Sequence, residues 1–332
     1  MFRDYTKSLF KRVDKRQLMQ FKPPRLPQRI YTKTLSIDNK HYGKFCQEVA
    51  WPVSEHVHPL YLQMLSLPLQ MRCLLDKQSP FPLLGLIHCA NKVEVFEHCD
   101  LSEPFECRVR FSDVRPHSRG WEVDVLLEAL QSSKCVYRAV SSYLVKVKAV
   151  HVAPRVAQTG NGESDEGGQR EFLSSFFANA DTGRRYAAIS GDYNPIHLST
   201  ISAKMFGFKT AIAHGMWTLA CVISQFVENT AGAANADVDA NVERTANAEK
   251  EQGSEKDGAL CSGYIKEVSC RFKQPVYLPN ELTIYSRSQT SSASAKSKST
   301  LMSSAQRAHH CAELEVTSAK DSATHLQAFL HY

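Results

Sequence analysis

The chain has 332 residues, 43% of them hydrophobic and 22% charged, with a formal net charge of +6. That length allows two domains with cores of their own, and no apolar run reaches the roughly 18 residues a membrane-spanning helix needs. The charge is concentrated at one end: residues 1–33 hold ten Lys/Arg and two Asp/Glu. The remainder is nearly balanced, which excludes a chain-wide nucleic-acid footprint.

Residues 1–29 are expected to be a basic extension, solvated ahead of the "KPPRLP" break. An amphipathic helix, an organelle presequence and a nucleic-acid contact are the alternatives. The acids Asp4 and Asp14 argue against a transit peptide, and no secretory apolar region is visible. The ten cysteines are scattered without a CxxC pair, often among apolar neighbours as in "IHCA" and "LACVI". That pattern suits buried free thiols in a reducing cytoplasm better than disulfides or zinc, and no metal is assigned.

The first unit is expected over 30–155. It opens with "YGKFCQE" (42–48), followed by a helical apolar stretch beginning at His58, "HPLYLQMLSLPLQMRCLL". Pro68 inside that stretch predicts a kink. Next comes "KVEVFEHCDLSEPFECRVRFSDV", whose alternation predicts strands. A Gly-rich, charged linker follows over 156–170, containing "TGNGESDEGGQR".

The second unit, 171–332, repeats the plan. "YAAISGD" (186–192) stands opposite "YGKFCQE", Tyr for Tyr and Asp192 for Glu48. "HGMWTLACVISQFV" from His214 is the second long apolar helix, and "IKEVSCRFKQPVYLPNELTIYSR" the second strand tract. Aligning Pro104 with Pro279 gives a His-to-Pro spacing of 46 residues in the first unit and 65 in the second. The surplus fits within 229–258, an Ala/Asn/Glu-rich run with hardly any large apolar residue, expected as a mobile insertion with a solvated helix as the alternative. Two copies of one α+β plan follow, each a curved antiparallel sheet wrapped around a long helix.

The copies differ where chemistry is expected. From Glu48 to His58 is 10 residues, and from Asp192 to His214 is 22. The extra stretch holds "NPIHLSTISAKMFGF", and the first unit has no counterpart to His197. Pro195 fixes its own φ and keeps Asn194 out of the helical region, so the chain turns between Asp192 and His197. A carboxylate and an imidazole on such a turn can hold a water and move its protons. Gly215 falls at the start of the following helix, where unpaired N–H groups and the positive dipole end suit an oxyanion. His214 is expected to pack or cap rather than act as a second base.

"YAAISGDYNPIHLSTISAKMFGFKTAIAHGM" closely resembles the signature of the MaoC-like, (R)-specific enoyl-CoA hydratases. The resemblance implies a double hotdog fold, with residues 30–155 a degenerate hotdog like that of two-domain acyl dehydratases and 171–332 the catalytic one. It also implies reversible syn hydration of trans-2-enoyl thioesters, carried by CoA or acyl-carrier protein, to (R)-3-hydroxyacyl thioesters. Asp192 and His197 would activate the water, the Gly215 N–H would hold the thioester oxygen, and Asn194, Pro195 and His214 would shape the site. Some relatives carry a serine nine residues beyond the HGM histidine; that position here is Ile223, with Ser224 beside it. No cofactor is implied, no nucleic acid and no membrane span are expected, and either a monomer that is a pseudo-dimer of hotdogs or a homodimer is expected. A non-catalytic fatty-acyl-binding or assembly-line accessory protein is the alternative, then a hotdog thioesterase.

Overall fold

The structure, a computed structural model, describes residues 15–52, 56–83, 85–97, 99–147, 170–245, 264–288, 311–319 and 322–332. After a single helical turn, α1 (Lys15–Leu18), the first unit runs β1 (Tyr31–Leu35), α2 (Asn39–Val49), α3 (Tyr61–Leu65), α4 (Leu67–Leu74), β2 (Ile87–Val95), β3 (Phe105–His117), β4 (Gly120–Gln131) and β5 (Lys134–Lys146). The second runs β6 (Glu171–Ala178), α5 (Thr182–Ser190), α6 (Pro195–Leu198), α7 (Thr200–Met205), α8 (Gly215–Thr245), β7 (Glu267–Phe272), β8 (Asn280–Ser288), β9 (Cys311–Ser318) and β10 (Thr324–His331).

Strand alternation builds the sheet. In β3, Phe105, Cys107, Val109 and Phe111 are buried while Glu106, Arg108 and Arg110 point outward, as a period of two demands when one face meets a core. The ten strands form one continuous antiparallel sheet in the order β1-β3-β4-β5-β2-β7-β10-β9-β8-β6. That order reads the same from either end once β6 to β10 are matched to β1 to β5. The seam is β2 against β7, with Lys92 opposite Ser269. Each half wraps its own apolar helices. In α8, Trp217, Leu219, Ala220, Cys221, Val222, Ile223, Phe226 and Val227 are all buried, so the helix is apolar around most of its circumference, as a central core helix should be.

Pro68 divides the first unit's helix. Ser66 closes α3 and also precedes α4, which has proline in its first turn, a position where the missing N–H costs nothing. The Tyr/His pairing is mirrored across the halves. The His58 N–H donates to Tyr42 Oη at 3.0 Å, and Tyr186 packs on His214 with ring centroids 5.0 Å apart. Glu48 forms an ion pair with Arg185 from the other half, at 3.0 Å.

Two expectations need correction. The basic extension is not simply solvated: Leu18, Pro24 and Pro27 are buried, and Trp121 Nε1 donates to the Leu18 carbonyl at 2.7 Å. The Leu18 carbonyl thereby ties the arm to β4. The run expected as a mobile insertion begins as helix, because α8 continues to Thr245. Its alanines and glutamates favour helix once a buried helix has supplied the nucleus. Residues 246–258 lie outside the described residues, as do 156–169 of the expected linker. The nine described cysteines are all free. Among the described residues no helix is long and apolar enough to cross a membrane.

Candidate active site

Local sequence sets the turn that carries the acid. Gly191 ends α5 in the left-handed region, φ +73°, its N–H donating to the Ala187 carbonyl, the role for which glycine is favoured at a helix end. Ser190 Oγ accepts from the Asp192 N–H at 3.1 Å, and Asp192 Oδ1 accepts from the Asn194 N–H at 3.2 Å. Asn194 then caps α6, its side chain accepting from Ile196 N, with Pro195 in the first turn. Asp192 therefore sits in a hinge between two helices, half-buried, its carboxylate held by the chain that follows it.

His197 lies on α6 and is buried. Its Nδ1 is 2.8 Å from the Ile212 carbonyl. A carbonyl only accepts, so Nδ1 carries the proton and Nε2 presents a lone pair. The accepting segment is clamped in turn: Ile212 N donates to Ile196 O, Ala213 N to Val276 O, and Leu278 N to Ala211 O. Burial pushes the His197 imidazole down to about 3; neighbouring His214 lowers it further, while Asp192 and the Ile212 carbonyl act the other way. The ring is neutral at any ordinary pH. Gly183 on α5 makes this seating possible, since a Cβ there would lie 1.9 Å from the His197 carbonyl oxygen.

His214 stacks on His197 with centroids 3.7 Å apart and planes inclined by 27°. Its Nε2 donates to the Asp192 backbone carbonyl at 3.0 Å and is 3.8 Å from Asp192 Oδ2. Desolvation lowers its pKa as well. One atom from each of Asp192, His197 and His214 lies within 4.8 Å of the others, a span that one bridging water can cover. These three are also the described residues nearest to a metal-ligand set. However, lone pairs lie in the ring planes, and two stacked rings direct theirs along nearly parallel planes rather than at a common point.

Gly215 opens α8 directly after His214. The first bond of that helix is Thr218 N to His214 O, so the N–H groups of 215–217 precede any intrahelical acceptor. A Cβ on Gly215 would lie 2.8 Å from Phe272 Cε1. Ser224 offers no contact to the site from this helix: its hydroxyl donates to the Ala220 carbonyl, 3.0 Å away, and Ile223 is fully buried. His58, the first unit's counterpart of His214, is committed to structure. Its Nδ1 accepts from Leu60 N and its Nε2 donates to Ala220 O on α8.

Three residues near this site went unnoticed in the sequence. Phe272 lies against Gly215, His88 packs on Phe272 with centroids 5.0 Å apart, and Tyr143 stacks on His88 at 4.9 Å. His88 and Tyr143 belong to the first unit, and only the β2–β7 pairing brings them here. No local pattern marks them. The steric need for Gly183 was equally invisible, although a glycine in the first turn of a helix is a weak signal of close approach.

Residues 166–246 match the family model described as MaoC like domain. A curated relative, 3-hydroxyacyl-thioester dehydratase X of Mycobacterium tuberculosis, is 29% identical over 203 residues, 60% of this chain and 70% of that protein. The crystal structure of HtdX from Mycobacterium tuberculosis superposes with a TM-score of 0.63 at 22% identity, covering 91% of this chain and 99% of that one. A conserved hypothetical protein of the same organism, described as a double hotdog, gives 0.51 at 8% identity, covering 91% and 94%. Residues 166–246 are thus similar to a MaoC-like domain, and the fold is a double hotdog.

Proposed function

We propose that this chain, with its MaoC-like domain in the second hotdog, is a hydro-lyase that adds water reversibly to trans-2-enoyl thioesters of CoA or acyl-carrier protein, giving (R)-3-hydroxyacyl thioesters. One observation carries the reading. A carboxylate and an imidazole whose Nε2 is free to accept lie within 4.8 Å of each other, next in space to a histidine that opens onto the unpaired amides of α8.

The chemistry follows from that placement. A water held between Asp192 and His197 Nε2 loses an O–H bond as its oxygen bonds C3. The C2=C3 π bond breaks, and C2 takes a proton from the same pair on the same face. The Gly215 N–H stabilises negative charge developing on the thioester oxygen. Burial makes a lasting imidazolium unfavourable at His197, which favours a concerted passage of the proton over a stepwise one. His214 positions the acid through the Asp192 backbone, and Asn194 and Pro195 hold the turn. The first hotdog, without a counterpart to His197, lines the acyl channel near the buried Leu60, Leu62 and Met64.

An absorbance assay with crotonyl-CoA and a longer enoyl-CoA tests this. Wild-type protein should remove the enoyl band, and Asp192→Asn and His197→Ala should each lower kcat by about 10²–10⁴-fold. Release of free thiol would favour a thioesterase, and acyl-CoA binding without turnover a fatty-acyl-binding protein.

A further inference from the structure

The seam strand of the first hotdog reaches the site of the second. The register of β2 against β5 shifts between His88 and Ala90, and a bulge of this kind bends a strand and re-aims the adjoining side chain. His88 is thereby sandwiched between Tyr143, at 4.9 Å and 26°, and Phe272, at 5.0 Å and 54°. Because Phe272 is the ring that packs on Gly215, His88 stands one ring away from the start of α8. The Asp192 carboxylate acts electrostatically on both His88 and Tyr143.

His88 Nε2 is buried and has no hydrogen-bond partner among the described residues. Such a nitrogen loses its hydration without a replacement bond and destabilises the free protein. Phenylalanine would fill the same aromatic slot without that penalty. The opposite crossing also occurs. Tyr264 and Ile265, just ahead of β7, line a pocket of the first hotdog together with His56, His58, Pro59 and Tyr137. Residues just ahead of the second half's seam strand thus help to wall the first half's pocket, while His88 on the first half's seam strand packs on the Phe272 ring that lies against Gly215.

We propose that His88 is a further substrate-binding residue, supplied by the first hotdog, whose Nε2 hydrogen-bonds the polar head of the acyl thioester held between Asp192 and the start of α8. The proposal rests on the hydratase reading for its choice of ligand. It is tested with His88→Phe, which keeps the stacking, and His88→Gln, which can place an amide near the Nε2 position. Three quantities are measured: thermal unfolding of the free protein, calorimetric binding of the unreactive butyryl-CoA, and kcat/KM on crotonyl-CoA.

For His88→Phe we expect a Tm equal to or above wild type, with butyryl-CoA affinity and kcat/KM each down by about tenfold, the scale of one buried hydrogen bond. His88→Gln should recover part of both. Unchanged binding and turnover in His88→Phe would overturn the proposal, as would a lowered Tm with no recovery in His88→Gln. Wild-type protein that binds butyryl-CoA without hydrating crotonyl-CoA would sink the hydratase reading alone, leaving the binding comparison to decide His88. Wild-type protein that binds neither butyryl-CoA nor butyryl-acyl-carrier protein would sink both.

Discussion

Gly183 offers the sharpest test of how the site is held. In Gly183→Ala the new Cβ would lie 1.9 Å from the His197 carbonyl oxygen and 2.9 Å from its carbonyl carbon. A carbon and a carbonyl oxygen approach to about 3.3 Å at closest, so the backbones of α5 and α6 must separate by about 1.4 Å. The obstacle is backbone on both sides, and no side-chain rotation relieves it. The His197 imidazole, pinned through Nδ1 to Ile212 O, must leave that bond or drag the 211–213 segment with it. If His197 acts as proposed, its misplacement by about 1 Å is worth about 10²-fold in rate, and forced overpacking costs about 1–3 kcal/mol. Gly183→Ala should therefore remain foldable, lose about 10²-fold in kcat on crotonyl-CoA, and unfold at lower denaturant. Steady-state kinetics beside urea unfolding would measure both. Wild-type kcat with wild-type stability would show that Gly183 on α5 does not seat His197.

Acid should destabilise the fold through its buried histidines. Burial lowers His58 and His197 to about 3 and His88 to about 4, and lowers His214 in the same direction. The unfolded chain, titrating near 6.5, binds more protons below that pH, so stability is complete above about 6.5 and declines as pH falls toward each folded value. At pH 5.5 His58, His88 and His197 should each remove about 1.4 kcal/mol, with His214 acting in the same direction; equal urea midpoints at pH 7.5 and 5.5 would contradict this. At the other end of the chain, Leu18→Ala should cost about 2 kcal/mol by emptying the contact beside Trp121. Urea unfolding followed by tryptophan fluorescence would show it, and an unshifted midpoint would mean that the arm does not contribute to the core.

Much of the site could be read locally because its parts are close in sequence and use residues with restricted backbones. Gly191 ends one helix, Asn194 and Pro195 begin another, and the six residues from Asp192 to His197 cannot run on as a single helix. The placement of Gly215 at a helix start followed from the apolar run behind it. The internal duplication was likewise legible, since burying one sheet face imposes alternation in both strand tracts. The polar run after Asn229 misled because low hydrophobicity indicates poor burial but says little about helix, and alanine-rich chain extends a helix already nucleated by a core.

The sequence by itself determined the two-copy α+β plan, the bent turn bearing Asp192 and His197, and which copy holds them. All of these are short-range consequences of backbone preference and apolar spacing. Only the tertiary structure decided that β2 and β7 join the two halves, that Phe272 meets the start of α8 with His88 and then Tyr143 packed behind it, and that Gly183 must lack a side chain. Those contacts join residues from 14 to 184 positions apart, as from Gly183 to His197 and from His88 to Phe272. They are set by strand register and helix packing, which depend on the whole sheet closing around its core rather than on any local run of residues.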